Sequence, residues 1–428
     1  MNVRKKWVVA AATVATASLA LAGCAGGSGG GDEDGTSMEM WHNSTTGDGK
    51  EYWDEVAAAF EEETGVSVKM TSIQNEDMDG KLQTATNSGD MPDLFMARGG
   101  GKLADIVAAG VVKDITGLID DETNEAYGET PFAPFTVDDA IYGMPVAVLP
   151  QGMFYSEDLF ADAGISEPPT TFDELGDAIS ALKDTDVEPI ALGAKAAWPA
   201  AHWYYAFALR ACSEETIQDI ASTLDFSSGC WLSAAEDLEE FAATEPFNKG
   251  FLTTDAQEGA GSSAGLVANH QAAMELMGGW NAGVIGSLTP DGEPLADLGW
   301  FPLPATSGGE GAPTAMMGGV DGYACSVDSP DACEEFLNFI AQAEWQEKYA
   351  DAFDAIPASL DAQGAVEDPV LTEMMAAYND AEYIVLWLDT LLGQNVGNAL
   401  NTAVVDMLAG GGTPESLVET ATNAAARG

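Results

Sequence analysis

The chain has 428 residues, of which 70 are acidic and 15 basic, and 46% are hydrophobic. A formal charge of −55 excludes an electrostatic hold on nucleic acid or anionic lipid, which needs clustered Lys and Arg; the apolar content excludes a chain disordered throughout. The length is too great for one small core and predicts two lobes.

Arg4, Lys5 and Lys6 form a positive start, and Trp7 to Gly23 follows as an uncharged stretch rich in Ala and Val. That stretch is short for a membrane span and suits a secretory signal. It ends in Leu21-Ala22-Gly23-Cys24, which resembles the bacterial lipobox, where the Cys is acylated and the residues before it are removed. Residues 1–23 are therefore expected to be a signal peptide. Residues 24–37 are expected to be a lipidated Cys and a flexible Gly- and Ser-rich tether. Acyl chains on Cys24 would hold the protein to the membrane by burying methylenes. The excess acid keeps an exported protein soluble and fits a saline habitat.

Met38 to Trp41 alternates and predicts a first strand. Lys50 to Glu63 places Tyr52, Trp53, Val56, Ala57 and Phe60 on one helical face, and Gly65 suits the helix end. Val66, Val68 and Met70 alternate as a second strand. A helix near 79–87, a strand at 93–97 and a helix at 102–109 follow. Strand and helix alternating at this length mean a parallel α/β sheet.

The middle is helix-rich. Thr171 to Glu174 is a capping box opening a helix to about Lys183, and Glu188 to Leu192 reads as a short strand. Segments 204–211, 215–224 and 234–243 read as helices. Val267 to Leu276 is read as a helix that ends in Met277-Gly278-Gly279-Trp280. Segments 298–303 and 322–327 return to strand character. Ser329-Pro330-Asp331 and Thr413-Pro414-Glu415 are helix starts, each a cap residue followed by Pro and an acid.

Cys212, Cys230, Cys325 and Cys333 remain after Cys24, and an even count in an exported protein suggests two disulfides. Three connectivities are open, of which 212–230 with 325–333 is the simplest. The first would be worth about 3 kcal/mol through chain entropy.

The signals of catalysis are missing. His42, His202 and His270 form no pair with metal spacing, and no G-x-S-x-G or nucleotide-phosphate loop occurs. No catalytic residue, metal or cofactor is expected. Aromatics and one cation offer more. Trp41 ends the first strand, Trp198 lies in a loop after a strand, Trp280 follows Gly-Gly, and Trp387 sits within 383–388. An indole can lie on the C–H face of a sugar while fixed polar groups read its hydroxyls. Trp53, Trp300 and Trp345 fall on periodic faces and are assigned to the core. Arg98 follows the 93–97 strand directly, where ligands of α/β sheets bind, and its fork suits a hydroxyl or carboxylate. Arg210, within a helix, reads as structural.

A family resemblance rests on several motifs. They are Pro92-Asp93-Leu94, Ile141 to Pro145, Gly152 to Ser156, Gly164-Ile165 with Pro168 to Phe172, Ala272 to Trp280, and Gly318 to Ala324 followed by Glu334 to Ile340. In order and spacing these resemble the extracellular solute-binding proteins of family 1, the sugar-capturing lipoproteins of ABC importers. Trp198 to Cys212, with Asp225 to Ser227 and Cys230, is similar to the actinobacterial oligosaccharide binders among them.

The resemblance implies an α/β, two-lobed periplasmic-binding-protein-like fold with a hinge and an interlobe cleft. Lobe 1 would hold 38–147 with 304–347, and lobe 2 would hold 150–298 with 355–428. It implies Trp280 as a stacking indole and Arg98, Asn43, Asn75 and Glu76 as polar contacts. Trp198, His202, Asp321, Trp387 and Asp389 carry over from neighbouring cleft segments, and Trp41 stays a candidate as the aromatic at the end of the first strand. His42-Asn43-Ser44 does not match the charged residues that maltose binders place after the first strand, which leaves the sugar open. The expected protein is a monomeric, non-enzymatic sugar-binding lipoprotein on the extracellular face of the cell membrane. Its partners would be a mono- or oligosaccharide, the permease subunits of an ABC importer and membrane lipid through Cys24. The rivals are the same fold holding a non-sugar solute, and a secreted enzyme acting on glycans.

Overall fold

A computed structural model describes residues 37–45, 47–119 and 121–427. The signal peptide, Cys24 and nearly all of the tether lie outside the described residues.

The chain opens with β1 (Ser37–His42), α1 (Gly47–Thr64), β2 (Ser67–Ser72), α2 (Asn75–Ser88), β3 (Leu94–Ala97) and α3 (Gly100–Ala108). β1 pairs in parallel with both β2 and β3, as the alternation of strand and helix requires. The predicted face of α1 is buried at Tyr52, Trp53, Val56 and Phe60, with Ala57 half-buried at its margin. Gly65 carries the chain out of that helix at φ 78°, a left-handed conformation that suits glycine.

Next come α4 (Asp121–Tyr127), the small hairpin β4 (Thr136–Val137) and β5 (Ala140–Ile141), β6 (Met144–Ser156), α5 (Glu157–Asp162), α6 (Phe172–Lys183) and β7 (Glu188–Ala191). Thr171 and Glu174 form the predicted capping box of α6. All thirteen residues of β6 are buried.

Then follow α7 (Trp198–Ala211), α8 (Glu214–Thr223), α9 (Gly229–Ala243), α10 (Ser263–Ala268), β8 (Ala272–Gly278), α11 (Asn281–Ser287) and β9 (Leu298–Pro302). Two expectations need correction here. Trp198 is not in a loop but opens α7, because Ala197 turns at φ 67° and Pro199 suits the first helical turn. The segment 267–276 is not one helix. It ends α10, turns, and becomes β8, buried throughout between β6 and β7. Ala, Met, Glu and Leu favour helix, but a place at the centre of a sheet overrides that local preference.

The chain closes with β10 (Met316–Cys325), α12 (Ala332–Ile340), α13 (Ala343–Phe353), β11 (Ile356–Pro357), α14 (Leu360–Gln363), α15 (Pro369–Asp380), β12 (Ile384–Leu386), α16 (Leu388–Leu391), α17 (Gly393–Leu408) and α18 (Pro414–Ala425). Thr413 caps α18 as expected. The N-cap of α12 is Asp331, without a side-chain cap bond, so Ser329 and Pro330 precede the helix instead of opening it.

The strands run in the order β2-β1-β3-β10-β6-β8-β7. One strand joins two sheets. The first half of β6 pairs with β10 and β11, and its second half pairs with β8 and β9. Each half of the molecule therefore has its own sheet, with helices packed on it. Trp53, Trp300 and Trp345 are buried, as their periodicity predicts.

Both disulfides take the sequence-local connectivity. Cys212–Cys230 ties the end of α7 to the start of α9, and Cys325–Cys333 ties β10 to α12. Arg210 is buried in α7 and donates to four carbonyls, those of Leu303, Pro304, Ala312 and Ala315. That bears out its structural reading.

Candidate functional site

The carboxyl ends of β1 and β3 and the loop after β2 bring three predicted polar residues together. Asn43 Nδ2 donates to Asn75 Oδ1 at 3.4 Å, and Arg98 Nη2 donates to the same oxygen at 2.6 Å. Arg98 also meets Asp79 at 3.5 Å, and Lys102 holds the other oxygen of that carboxylate at 2.7 Å. Burial opposes the charge of Arg98, but Asp79, Asp321, Asp389 and Glu76 outweigh it and raise its pKa. Asp321, on β10, is raised by burial, with Arg98 pulling it back down and Asp79 raising it further. Glu76 is exposed at the start of α2.

The second sheet and its helices supply Trp198, His202 and Trp280, and Trp387 follows β12, which pairs with β10. His202 lies one helical turn after Trp198 on α7, with ring centroids 5.1 Å apart. The His202 imidazole stacks on Trp387, at 5.1 Å and 5° between planes. Trp280, at the turn from β8 into α11, lies 5.3 Å from Trp387 and 6.1 Å from Trp198. Two glycines admit these indoles. A Cβ on Gly319 would come within 2.3 Å of the Trp387 ring, and one on Gly278 within 2.1 Å of the Trp280 ring. Burial lowers the His202 pKa to about 4, against the raising effect of Asp389, so the ring is neutral at physiological pH. The Nε1 atoms of Trp198, Trp280 and Trp387 and the Nδ1 of His202 are buried without a hydrogen-bond partner among the described residues. They are donors or acceptors available to a bound molecule.

Asp389 joins the two sets. It acts electrostatically on both Arg98 and His202, and its carboxylate accepts from Asn401 Nδ2 at 3.1 Å. Asn401 in turn accepts from the Tyr205 hydroxyl at 2.6 Å. The Trp41 indole N–H donates to Glu39 at 3.2 Å. A cavity of about 260 Å³ adjoins the polar set, running between α2 and α3 with Arg98, Asp79 and Lys102 in its wall. The aromatic rings do not line it.

Sequence reasoning passed over Lys102, Asp79, Tyr205 and Asn401. The signal for Lys102 was a lone cation four residues after Arg98 in a very acidic chain. Nothing local marks Asn401, whose role comes from the packing of α17 on α7.

The arrangement can lay flat rings against indoles and present paired carboxylates, amides and a guanidinium beside them. Replacing Arg98 with Ala is expected to leave Asp79, Asp321 and Asp389 facing one another with less compensation. Removing the lowering influence of Arg98 should raise Asp321 further. The loss of melting temperature relative to wild type should be larger at pH 7 than at pH 4. Carboxyl carbon NMR titration and thermal melts at both pH values check this.

The sequence profile of the bacterial extracellular solute-binding proteins matches residues 43–347. A binding protein of Brucella abortus is 31% identical over 159 residues, which are 37% of this chain and 38% of that protein. The match thus spans well under half of that relative's length. The diacetylchitobiose binding protein DasA of Streptomyces coelicolor is 24% identical over 430 residues, 91% of this chain and 94% of that protein. Among solved structures, a chitin oligosaccharide binding protein superposes with a TM-score of 0.82 at 24% identity, covering 92% of this chain and 99% of that one. The likeness shows the fold, a two-lobed α/β architecture of the periplasmic-binding-protein kind.

Proposed function

The chain belongs to the bacterial extracellular solute-binding proteins, and we propose that it captures a mono- or oligosaccharide between its lobes and delivers it to the membrane permease of an ABC importer. The observation that carries this is the grouping of Trp198, His202, Trp280 and Trp387 beside the Asn43–Asn75–Arg98–Asp321 set, with Asp389 between them. Stacking fixes a sugar ring and hydrogen bonds choose it. A buried donor left unpaired by the wrong epimer costs about 1–3 kcal/mol. The names of two relatives agree in ligand class. One is the diacetylchitobiose binder, and the other is the α-glucoside-binding protein AglE of Rhizobium meliloti, 28% identical over 46% of this chain.

In this reading lobe 1 holds about 38–147 with 304–347, and lobe 2 about 150–298 with 355–428. The lobes close on the ligand as a monomer, and no bond is broken. Asn43, Asn75, Arg98, Asp321 and Asp389 contact hydroxyls, with Glu76 at the rim. Leu21 to Cys24 and the tether after it support anchorage on the outer face of the cell membrane through acylated Cys24.

A thermal-shift screen of the domain without its tether tests the reading, using mono- and oligosaccharides with amino acids and polyols as controls. A ligand at a hundred times its dissociation constant should add about 2.7 kcal/mol of stability. A rise with one sugar class, and no breakdown of that sugar, is expected. A rise only with a control solute overturns the sugar assignment.

A further inference from the structure

Five residues before Trp280 lies a carboxyl group that the site described above does not use. Glu275 sits in the middle of β8 and is 1% exposed, and Asn281, the first residue of α11, is fully buried. Asn281 Nδ2 donates to Glu275 Oε2 at 2.8 Å. The remaining oxygens of the pair, Glu275 Oε1 and Asn281 Oδ1, are both buried with no hydrogen-bond donor among the described residues. Two orphaned acceptors on two groups already joined by one bond have a simple resolution. A proton on Oε1 donates to Oδ1 and closes a ring of two hydrogen bonds between a carboxylic acid and an amide. An ionised carboxylate would instead be a buried charge with half its acceptors empty.

We propose that Glu275 is a positioning residue for Trp280: its protonated carboxyl and the Asn281 amide form a two-bond ring that fixes the turn from β8 into α11, and with it the indole. Asn281 follows Trp280 directly, and the Trp280 carbonyl accepts the Val284 N–H at the head of α11. Holding the amide therefore holds the backbone that carries the indole.

The surroundings agree. Burial raises the Glu275 pKa to about 7, against the lowering influence of Ser263 and Asn281, and the Ser263 hydroxyl gives its one proton to the Ala256 carbonyl at 3.0 Å. No charged side chain enters that balance. Across the ladders Glu275 meets Phe154 of β6 and Ala191 of β7. The titratable groups on those strands are Tyr155 and Glu188, and α10 and α11 have none. On α7 they are His202, Tyr204, Tyr205 and Arg210, where His202 is stacked on Trp387, the two hydroxyls donate to Trp231 O and Asn401, and Arg210 is held by carbonyls.

That Trp280 meets a sugar rests on the function proposed above; the ring itself does not. The test therefore has a ligand-free arm. Infrared difference spectra of wild type against Glu275→Gln at pH 6 should show the carbonyl band of a protonated carboxylic acid in wild type alone. A carboxylate band at that pH overturns the proposal. Glu275→Gln keeps both bonds, because its amide donates to Asn281 Oδ1 and its oxygen accepts from Nδ2. Glu275→Ala keeps neither.

The indole N–H resonance of Trp280, assigned by its loss in Trp280→Phe, should stay in place in Glu275→Gln and shift or broaden in Glu275→Ala. With a sugar found by the screen, wild-type affinity should fall by about three- to tenfold between pH 6 and 9, the loss of one hydrogen bond. Glu275→Gln should bind as wild type does at pH 6 and lose that dependence. If Glu275→Gln is impaired like Glu275→Ala, the ring is wrong. If no sugar binds at all, the function is wrong and the spectra still decide the ring.

Discussion

Replacing Trp280 with alanine is expected to weaken sugar binding by about tenfold or more while leaving the fold intact. The asymmetry follows from where the indole sits. Trp53, Trp203, Trp231 and Trp300 are fully buried, and truncating any of them would open a core cavity. Trp280 is half-buried and at a turn, touching the rings of Trp198 and Trp387 at the edge of the aromatic group. Its removal costs little core packing but deletes a face on which a sugar ring would lie. Stacking contributes about 0.5–1.5 kcal/mol beyond the area buried, and the area term adds to it. Calorimetric titration of the variant, with circular dichroism as a check on folding, measures the effect. Unchanged affinity would remove Trp280 from the site.

The second large effect is on stability. Arg210→Ala should lower the unfolding free energy by about 3–5 kcal/mol, since several buried carbonyls lose their partner at about 1 kcal/mol or more each. Burial lowers the Arg210 pKa to about 10, which still leaves the guanidinium charged at neutral pH. It reaches from α7 to the carbonyls of 303–304 and of 312 and 315, so it pins both ends of the loop between β9 and β10. Lysine should restore only part of the loss, because an ammonium cannot reproduce the planar fork. Urea unfolding of the three proteins checks the order wild type, Arg210→Lys, Arg210→Ala. Equal stability of the alanine variant would sink the structural reading of this residue.

Elements whose local signals agree with their surroundings were legible in the sequence. The face of α1, the capping box of α6 and the parallel order of β1, β2 and β3 all follow from periodicity and caps. β8 was not legible, because Ala-Ala-Met-Glu-Leu-Met has the propensity of a helix and only its neighbours make it a strand. The glutamate inside that apolar run was the local hint of a buried polar pair. A position at a strand end pointed to Arg98, and the family resemblance pointed to Asn43. Tyr205 on α7 and Asn401 on α17 could not be seen. Twelve of the residues from Pro199 to Arg210 are buried, so α7 has no polar stripe to mark which side faces a ligand. Tyr205 meets Asn401 only because two helices nearly two hundred residues apart in sequence pack together.

The two disulfides have a consequence for the molecule in an oxidising medium. Cys212–Cys230 joins two helices of the second half, and Cys325–Cys333 joins a strand and a helix of the first. Neither bond crosses from one half to the other. Oxidation therefore hardens each half separately and adds no crosslink between them. A change of redox conditions could slacken either half, but it has no means of locking the mouth open or shut.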